Sequence, residues 1–234
     1  MRLRPFFSFY GAKWRASNYY QPPAYDTIVE PFAGSACYAL RYFQKQVILV
    51  DADPDIAGLW QWLIDVPEKE IAALPEDIED LDSIDLPSPA KTLIGFWFVK
   101  GSAVAVRRPY AWARTGKWSN QFWGADIKAR ICSQIKYIRH WRVINASYKD
   151  AVLPEEATWF IDPPYQVAGK HYRYNNINYT DLGCWCRTRR GQVIVCEQQG
   201  ADWLPFEKFK DIKALKSRIT SEVVYYQGDH GLLI

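Results

Sequence analysis

Six short, β-branched runs alternate with longer stretches of helical periodicity, and this alternation restricts the chain more than any other feature. The runs cover 27–31, 47–50, 143–146, 158–161, 193–196 and 223–226. Near-continuous apolar segments of this length, closed by turn or small residues, predict parallel strands buried on both faces. The intervening sequence predicts helices over 36–43, 54–64 and 127–140. Strands alternating with helices specify an open α/β sheet. The stretch 77–89 is acidic and punctuated by Pro75, Pro87 and Pro89, so it reads as a solvated connector. With 234 residues, 49% of them hydrophobic, the chain suffices for one packed domain over 1–234 but not for two substantial ones.

No apolar run of about 18 residues is present to span a bilayer. The opening Met1-Arg2-Leu3-Arg4-Pro5 leads into polar and aromatic residues rather than a signal-peptide segment, so a protein of the cytoplasm is expected. Five cysteines, at 37, 132, 184, 186 and 196, are odd in number and scattered, which favours reduced, buried thiols over a disulfide framework. Cys184-Trp185-Cys186, with Cys196 and His171, leaves one residue between the paired thiols. Zinc sites usually place roughly two to four there, so no metal is expected.

The net charge of +3 hides a segregation of sign along the chain. Over 65–85, nine acids stand against Lys69 alone; over 91–149, twelve bases stand against Asp126 alone. Trp97, Trp112, Trp118, Trp123 and Trp141 lie among those bases. Clustered bases interleaved with aromatics compose a nucleic-acid surface, and a polyanionic partner is implied.

In an open α/β sheet the ligand sits outside the carboxyl ends of the strands, so the residues that follow each strand carry the chemistry. The first strand runs into Glu30-Pro31-Phe32-Ala33-Gly34-Ser35-Ala36, an acid followed by small residues where backbone must approach a bulky cofactor. An ordinary tight strand-to-helix turn would read the same. The second strand ends at Asp51, seventeen residues beyond Gly34, near the spacing at which an acid accepts from ribose hydroxyls. Together the two motifs favour an adenosine-type cofactor. The fourth strand runs directly into Asp162-Pro163-Pro164-Tyr165. Successive prolines fix φ at two positions and remove two donors, leaving rigid carbonyls. An amine on a planar base needs acceptors for its two N–H groups and a flat surface, which Asp162, the Pro163 carbonyl and Tyr165 can supply. A merely helix-preventing turn is the blander alternative.

The order of these motifs resembles the Dam-like, alpha-group DNA adenine N6-methyltransferases, in particular the small versions carried by phages and prophages. That family places an aromatic-Gly-Gly-Lys segment first, then Pro-Phe-x-Gly-x-Gly, a DNA-recognising insert, and Asp-Pro-Pro-Tyr. This chain has Phe9-Tyr10-Gly11-Ala12-Lys13-Trp14, then 30–36, the basic block, and 162–165, so the resemblance covers essentially all of it. It implies a Rossmann-like, S-adenosylmethionine (SAM)-dependent methyltransferase sheet with a small, mainly helical, basic DNA-recognition insert at about 91–140. The implied reaction moves a methyl group from SAM to N6 of an adenine flipped out of double-stranded DNA, in a bacterial cytoplasm. Asp162, Pro163, Pro164 and Tyr165 would be catalytic. Phe9, Tyr10 and Lys13 would flank the methionine end of SAM, Glu30, Phe32, Ala33 and Gly34 would line its loop, Asp51 would take the ribose, and Asp162 would border it. The family's second glycines are Ala36 and Ala12 here, which costs little where φ is negative.

Arg107, Arg108, Arg114, Lys117, Trp118, Lys128 and Arg130 could track phosphates, and Arg114 or Asn120 could read a base edge. Lys170 to Tyr174 follows Asp-Pro-Pro-Tyr where the family has a loop closing over the flipped base, so Lys170 and Arg173 are expected to face DNA. Methylation of cytosine N4 poses the same electronic problem and is the nearest rival; methylation of RNA is less favoured. A catalytically silent protein that binds SAM and DNA is the rival from another class, and the intact 162–165 motif argues against it.

Overall fold

The computed structural model describes residues 2–110, 121–167, 169–213 and 219–228. Its centre is a seven-stranded sheet in the order β3-β2-β1-β4-β5-β7-β6. The strands are β1 (Thr27–Glu30), β2 (Gln46–Asp51), β3 (Arg142–Asn145), β4 (Glu156–Ile161), β5 (Arg190–Gln198), β6 (Glu207–Lys213) and β7 (Ile219–Gln227). β1 to β5 are parallel, with Ile28 opposite Thr158 and Val29 opposite Trp159 where β1 meets β4. The chain winds outward from β1 through β2 to β3, then returns to start β4 on the other side of β1. The expected Rossmann-like open sheet is therefore present, with its topological switch point between β1 and β4. Not all strands are parallel, however: β7 runs antiparallel to both β5 and β6.

Side chains alternate between two buried faces, as period-two strands require. Ile28, Phe160, Ile194 and Cys196 enter one apolar cluster; Val29, Trp159, Ile161, Val193 and Val195 enter the other. The larger cluster holds the buried faces of α1 (Pro54–Asp65), α2 (Glu68–Ala72), α3 (Ser88–Trp97) and α4 (Ala125–Ile135); the smaller holds that of α5 (Tyr179–Arg187). α1 starts because Asp53 caps it, its carboxylate accepting from the Asp55 N–H at 3.0 Å, with Pro54 at the first helical position.

Three expectations need correction. The helix expected over 36–43 is only a 3-10 turn at Ala39–Arg41, because Ala36 adopts φ +48° and the Ala39 N–H is taken by the Glu30 carboxylate at 2.7 Å. The supposed connector over 77–89 packs on the core, with Ile78 and Leu81 buried and a 3-10 turn at Leu81–Ser83. The helix expected over 127–140 is α4 followed by a 3-10 turn at Lys136–Ile138. α3 and α4, which bracket the basic stretch, bury Leu93, Ile94, Ile127 and Ile131 in the core, and of the described residues between them Phe98, Phe122 and Trp123 are buried as well. No helix among the described residues is long and apolar enough to cross a membrane.

Candidate functional site

The carboxyl ends of β1, β2 and β4 converge on a cavity of about 380 Å³. That lies within the range of roughly 300–1,000 Å³ typical of small-molecule sites. After β1 the chain turns sharply at Gly34, whose φ of +44° lies in the left-handed region. A Cβ there would also press on the Phe9 ring at 3.2 Å, so the left-handed turn and the close approach both favour glycine. The turn is held on two sides. Gly34 donates its N–H to Asp51 Oδ2 at 3.1 Å, and its carbonyl accepts from the Trp60 indole at 2.8 Å. Ala36 is left-handed as well, contrary to the negative φ under which an alanine costs little; such a residue carries about 1–2 kcal/mol of strain.

Asp51 also accepts from the Asp53 N–H at 2.9 Å, so both carboxylate oxygens brace the turns beside them. Burial outweighs these bonds and pushes its carboxyl up to about 6. Glu30 is 2% exposed, and burial holds its carboxyl well above the usual carboxylate range.

At the end of β4, Asp162 faces the cavity. Burial raises its carboxyl to about 6, opposed by Lys13, whose Nζ lies 3.1 Å from Oδ1. Burial works against the Lys13 ammonium, but Asp162, Tyr165 and Glu222 more than offset it, so Lys13 stays charged. The proline turn is fixed from outside: the Tyr179 hydroxyl donates to the Pro164 carbonyl at 2.7 Å. Glu197, at the end of β5, accepts from the Gln166 N–H at 3.0 Å and from the Trp203 indole at 3.1 Å. A final wall comes from the loop after this turn. Tyr172 donates to the Tyr10 carbonyl at 3.2 Å, and Arg173 lies 3.0 Å from Asp55 and 3.9 Å from Asp53, bridging to the start of α1.

Phe9, Tyr10, Lys13, Glu30, Phe32, Ala33, Gly34, Asp51 and Asp162, which lie far apart in sequence, are thus brought around one cavity, together with Pro164. Pro163 and Tyr165 are not among the residues that line it. One face of the Tyr165 ring is covered by the Lys13 ammonium, 4.6 Å from its centroid, where the ring's negative face attracts a cation.

The expected nucleic-acid contacts divide. Arg114, Lys117, Trp118 and Asn120 lie outside the described residues. Lys128 does not face solvent: it bonds the Ala72 and Leu74 carbonyls and pairs with Glu76 at 2.8 Å. Arg130 is likewise turned inward, onto the Pro5 carbonyl and the Trp97 ring, and burial lowers it to about 10. Both follow from α4 packing its flank on α2 and the N-terminal segment. Arg107 and Arg108 are exposed but paired, with Asp82 at 3.7 Å and Asp80 at 2.6 Å. Among the described residues, the acidic and basic blocks of the sequence are therefore partners within the fold at Arg107, Arg108 and Lys128. Lys170 is exposed, and Arg173 is shared between the cavity wall and solvent.

Of the cysteines, 37, 132, 186 and 196 are buried, whereas Cys184 is exposed on α5. Among the described residues no group of His, Cys, Asp and Glu is arranged to hold a metal ion. Sequence reasoning missed Tyr172 as a wall, Glu197 as a brace, Glu222 as a neighbour of Lys13 and Tyr20 as the partner of Glu222. Tyr172 sits in a loop already marked as functional, but nothing in the local sequence joins residues 13, 20 and 222.

No protein-family model and no curated protein matches the sequence. Among solved structures, the chain is similar to yhhF from Escherichia coli, a candidate methyltransferase, at 11% identity and a TM-score of 0.38, over 89% of this chain and 77% of that one. It is similar also to HI0767 from Haemophilus influenzae, a candidate methylase, at 13% identity and a TM-score of 0.38, over 91% of both chains. Likeness at this level bears on neither cofactor nor substrate.

Proposed function

We propose that the protein is a SAM-dependent methyltransferase acting on N6 of adenine in DNA. The observation that carries this reading is the position of Asp162. It stands at the carboxyl end of β4, beside the topological switch point, and opens onto the cavity that the Gly34 turn and Asp51 also line. The cavity suits an adenosine-type cofactor: the left-handed Gly34 turn brings backbone to its wall, and an acid ends the neighbouring strand. Phe9, Tyr10 and Lys13 would flank the methionine end, Glu30, Phe32, Ala33 and Gly34 would line the loop, and Asp51 would take the ribose. When bound, SAM supplies an electrophilic methyl group on a sulfonium.

The protein's own part is to present an amine whose lone pair is otherwise delocalised into a ring. Asp162 accepts an N–H of that amine, which draws the nitrogen toward pyramidal geometry; the Pro163 carbonyl, the other acceptor expected from the sequence, does not line the cavity. The two prolines that follow hold Asp162 on a rigid turn, so little reorganisation is needed at the moment of transfer. Extruding the base from the duplex costs a few kcal/mol, offset by contacts to the backbone on either side. Exposed Lys170 and the residues between α3 and α4 are the candidates for those contacts.

The test is direct: incubate the protein with labelled SAM and duplex DNA, digest to nucleosides and identify the labelled base. N6-methyladenine supports the proposal; N4-methylcytosine would transfer the same geometry to the rival amine, and no label on any base would overturn it.

A further inference from the structure

The Lys13 ammonium has three N–H groups and three acceptors around it: the Gly11 carbonyl at 3.0 Å, Asp162 Oδ1 at 3.1 Å and Glu222 Oε1 at 3.7 Å. Glu222 belongs to β7, the antiparallel strand beside β5, and its other oxygen accepts from the Tyr20 hydroxyl at 3.0 Å. Tyr20 has little freedom, since its ring stacks on Phe209 at 4.5 Å and meets Phe160 edge-on at 5.1 Å. Lys13, Tyr20 and Glu222 are 7%, 4% and 8% exposed.

A second carboxylate here is poorly explained by stability. One ammonium already neutralises Asp162, and burying a further anion costs more in lost hydration than a shared cation returns. What the second carboxylate changes is Asp162. Shared between two anions, Lys13 is pulled away from sole possession of either, and the Asp162 carboxylate, less neutralised by its partner, is the more basic and accepts more strongly from another donor. Fixing Lys13 also fixes which oxygen of Asp162 is occupied and which is left to face the cavity.

We infer that Glu222, braced by Tyr20, is a positioning residue for methyl transfer, holding Lys13 so that Asp162 is both oriented and kept strongly accepting. This rests on the methyltransferase reading above. Other groups around the cluster are Tyr165 after β4, Tyr172 in the following loop, Cys196 on β5 and Glu30 on β1; Tyr165 and Cys196 feel the Glu222 charge as well, but burial holds both well above their ordinary values, so they stay neutral where Asp162 titrates.

The experiment compares wild type with Glu222→Gln and Tyr20→Phe in two measurements. The first is kcat and KM across pH; the second, on the protein alone, is titration of the Asp162 carboxyl by carbon NMR. Removing the charge at 222 leaves Lys13 to Asp162 alone, so in Glu222→Gln the Asp162 titration and the acidic limb of kcat should both move down by about one unit. The same variant should lose at least about tenfold in kcat through misorientation, while KM for SAM stays as in the wild type. Tyr20→Phe keeps the charge and loses the brace, so kcat should fall without that downward shift; it also serves where Glu222→Gln does not fold. Unchanged titration with unchanged kcat, or a kcat loss that merely follows SAM affinity, overturns the inference. If the wild type methylates no DNA at all, the function proposed above fails. The NMR titration then decides the inference by itself: a lowered Asp162 value upholds the clamp and an unmoved one removes it.

Discussion

Gly11 is left-handed at φ +71°, and a Cβ on it would lie 2.2 Å from the Tyr172 hydroxyl. Gly11→Ala should therefore cost about 1–2 kcal/mol of backbone strain and displace Tyr172 from the cavity wall, seen as weaker SAM binding by calorimetry. Adding Tyr172→Phe, which removes the clashing oxygen, should restore part of that loss; a fully additive pair would refute the contact. Asp162→Ala is expected to behave oppositely, losing about 10²-fold or more in methyl transfer while SAM affinity stays within several-fold. Full activity in that variant would end Asp162's assigned role. Asp51→Ala should weaken SAM binding by roughly 1.5–3 kcal/mol, the worth of a hydrogen bond to a charged group, and spare DNA binding. Burial raises both carboxyls to about 6, so the folded protein holds protons there that the unfolded chain has released. The sign follows: their contribution favours folding at about pH 4, is lost as pH rises through about 6, and is flat beyond. Transfer should rise over the same window as Asp162 ionises. A melting temperature whose slope with pH is identical in the Asp51→Asn, Asp162→Asn double variant would contradict this.

At the level of elements, the loop after the proline turn spans the cavity by exposed ion pairs from Arg173 to Asp53 and Asp55. Such pairs contribute little to stability, so Arg173→Ala should cost no more than about 1 kcal/mol yet speed SAM release in stopped-flow measurements. Release at the wild-type rate would show that the bridge does not retain the ligand. β1 to β5 and β7 were legible because each contains a short β-branched run whose apolar residues are buried or half-buried. β6 was not, since Phe209 and Ile212 are its only apolar residues and all the others are charged. The turn expected as a helix over 36–43 failed for a reason local patterns do not carry: the Glu30 carboxylate, from the preceding strand, takes the N–H that would have joined a first helical turn. Most of the cavity was readable because its residues follow strands in a fixed order. The cluster of Lys13, Tyr20 and Glu222 was not, because their proximity exists only once β7 has folded back beside β5.

For the whole molecule, the pairing of acidic and basic blocks alters what the charge pattern predicts. Lys128 and Arg130 are occupied within the fold, and Arg107 and Arg108 must exchange carboxylates for phosphates. Each phosphate neutralised contributes about 0.9 to the fall of log affinity with log salt, so the slope should lie well below what twelve bases would give. Lys128→Ala should lower the melting temperature and leave that slope unchanged; a reduced slope would return Lys128 to the DNA surface. Recognition should span at most about four base pairs, since each bidentate contact discriminates by only about 1–3 kcal/mol and little of the chain is left to make such contacts. Methylated-base sequencing that reveals six or more fixed positions would count against this. The tie between Lys13 and Glu222 also has a meaning in time. A ribosome adds about 5–20 residues each second, so Lys13 waits on the order of ten seconds or more before Glu222 exists. Asp162 is made in between, several seconds ahead of Glu222 at that pace. The site thus closes only once β7 has been made, and a nascent chain halted before β7 would carry the Gly34 turn and the proline turn without the Glu222 carboxylate beside Lys13.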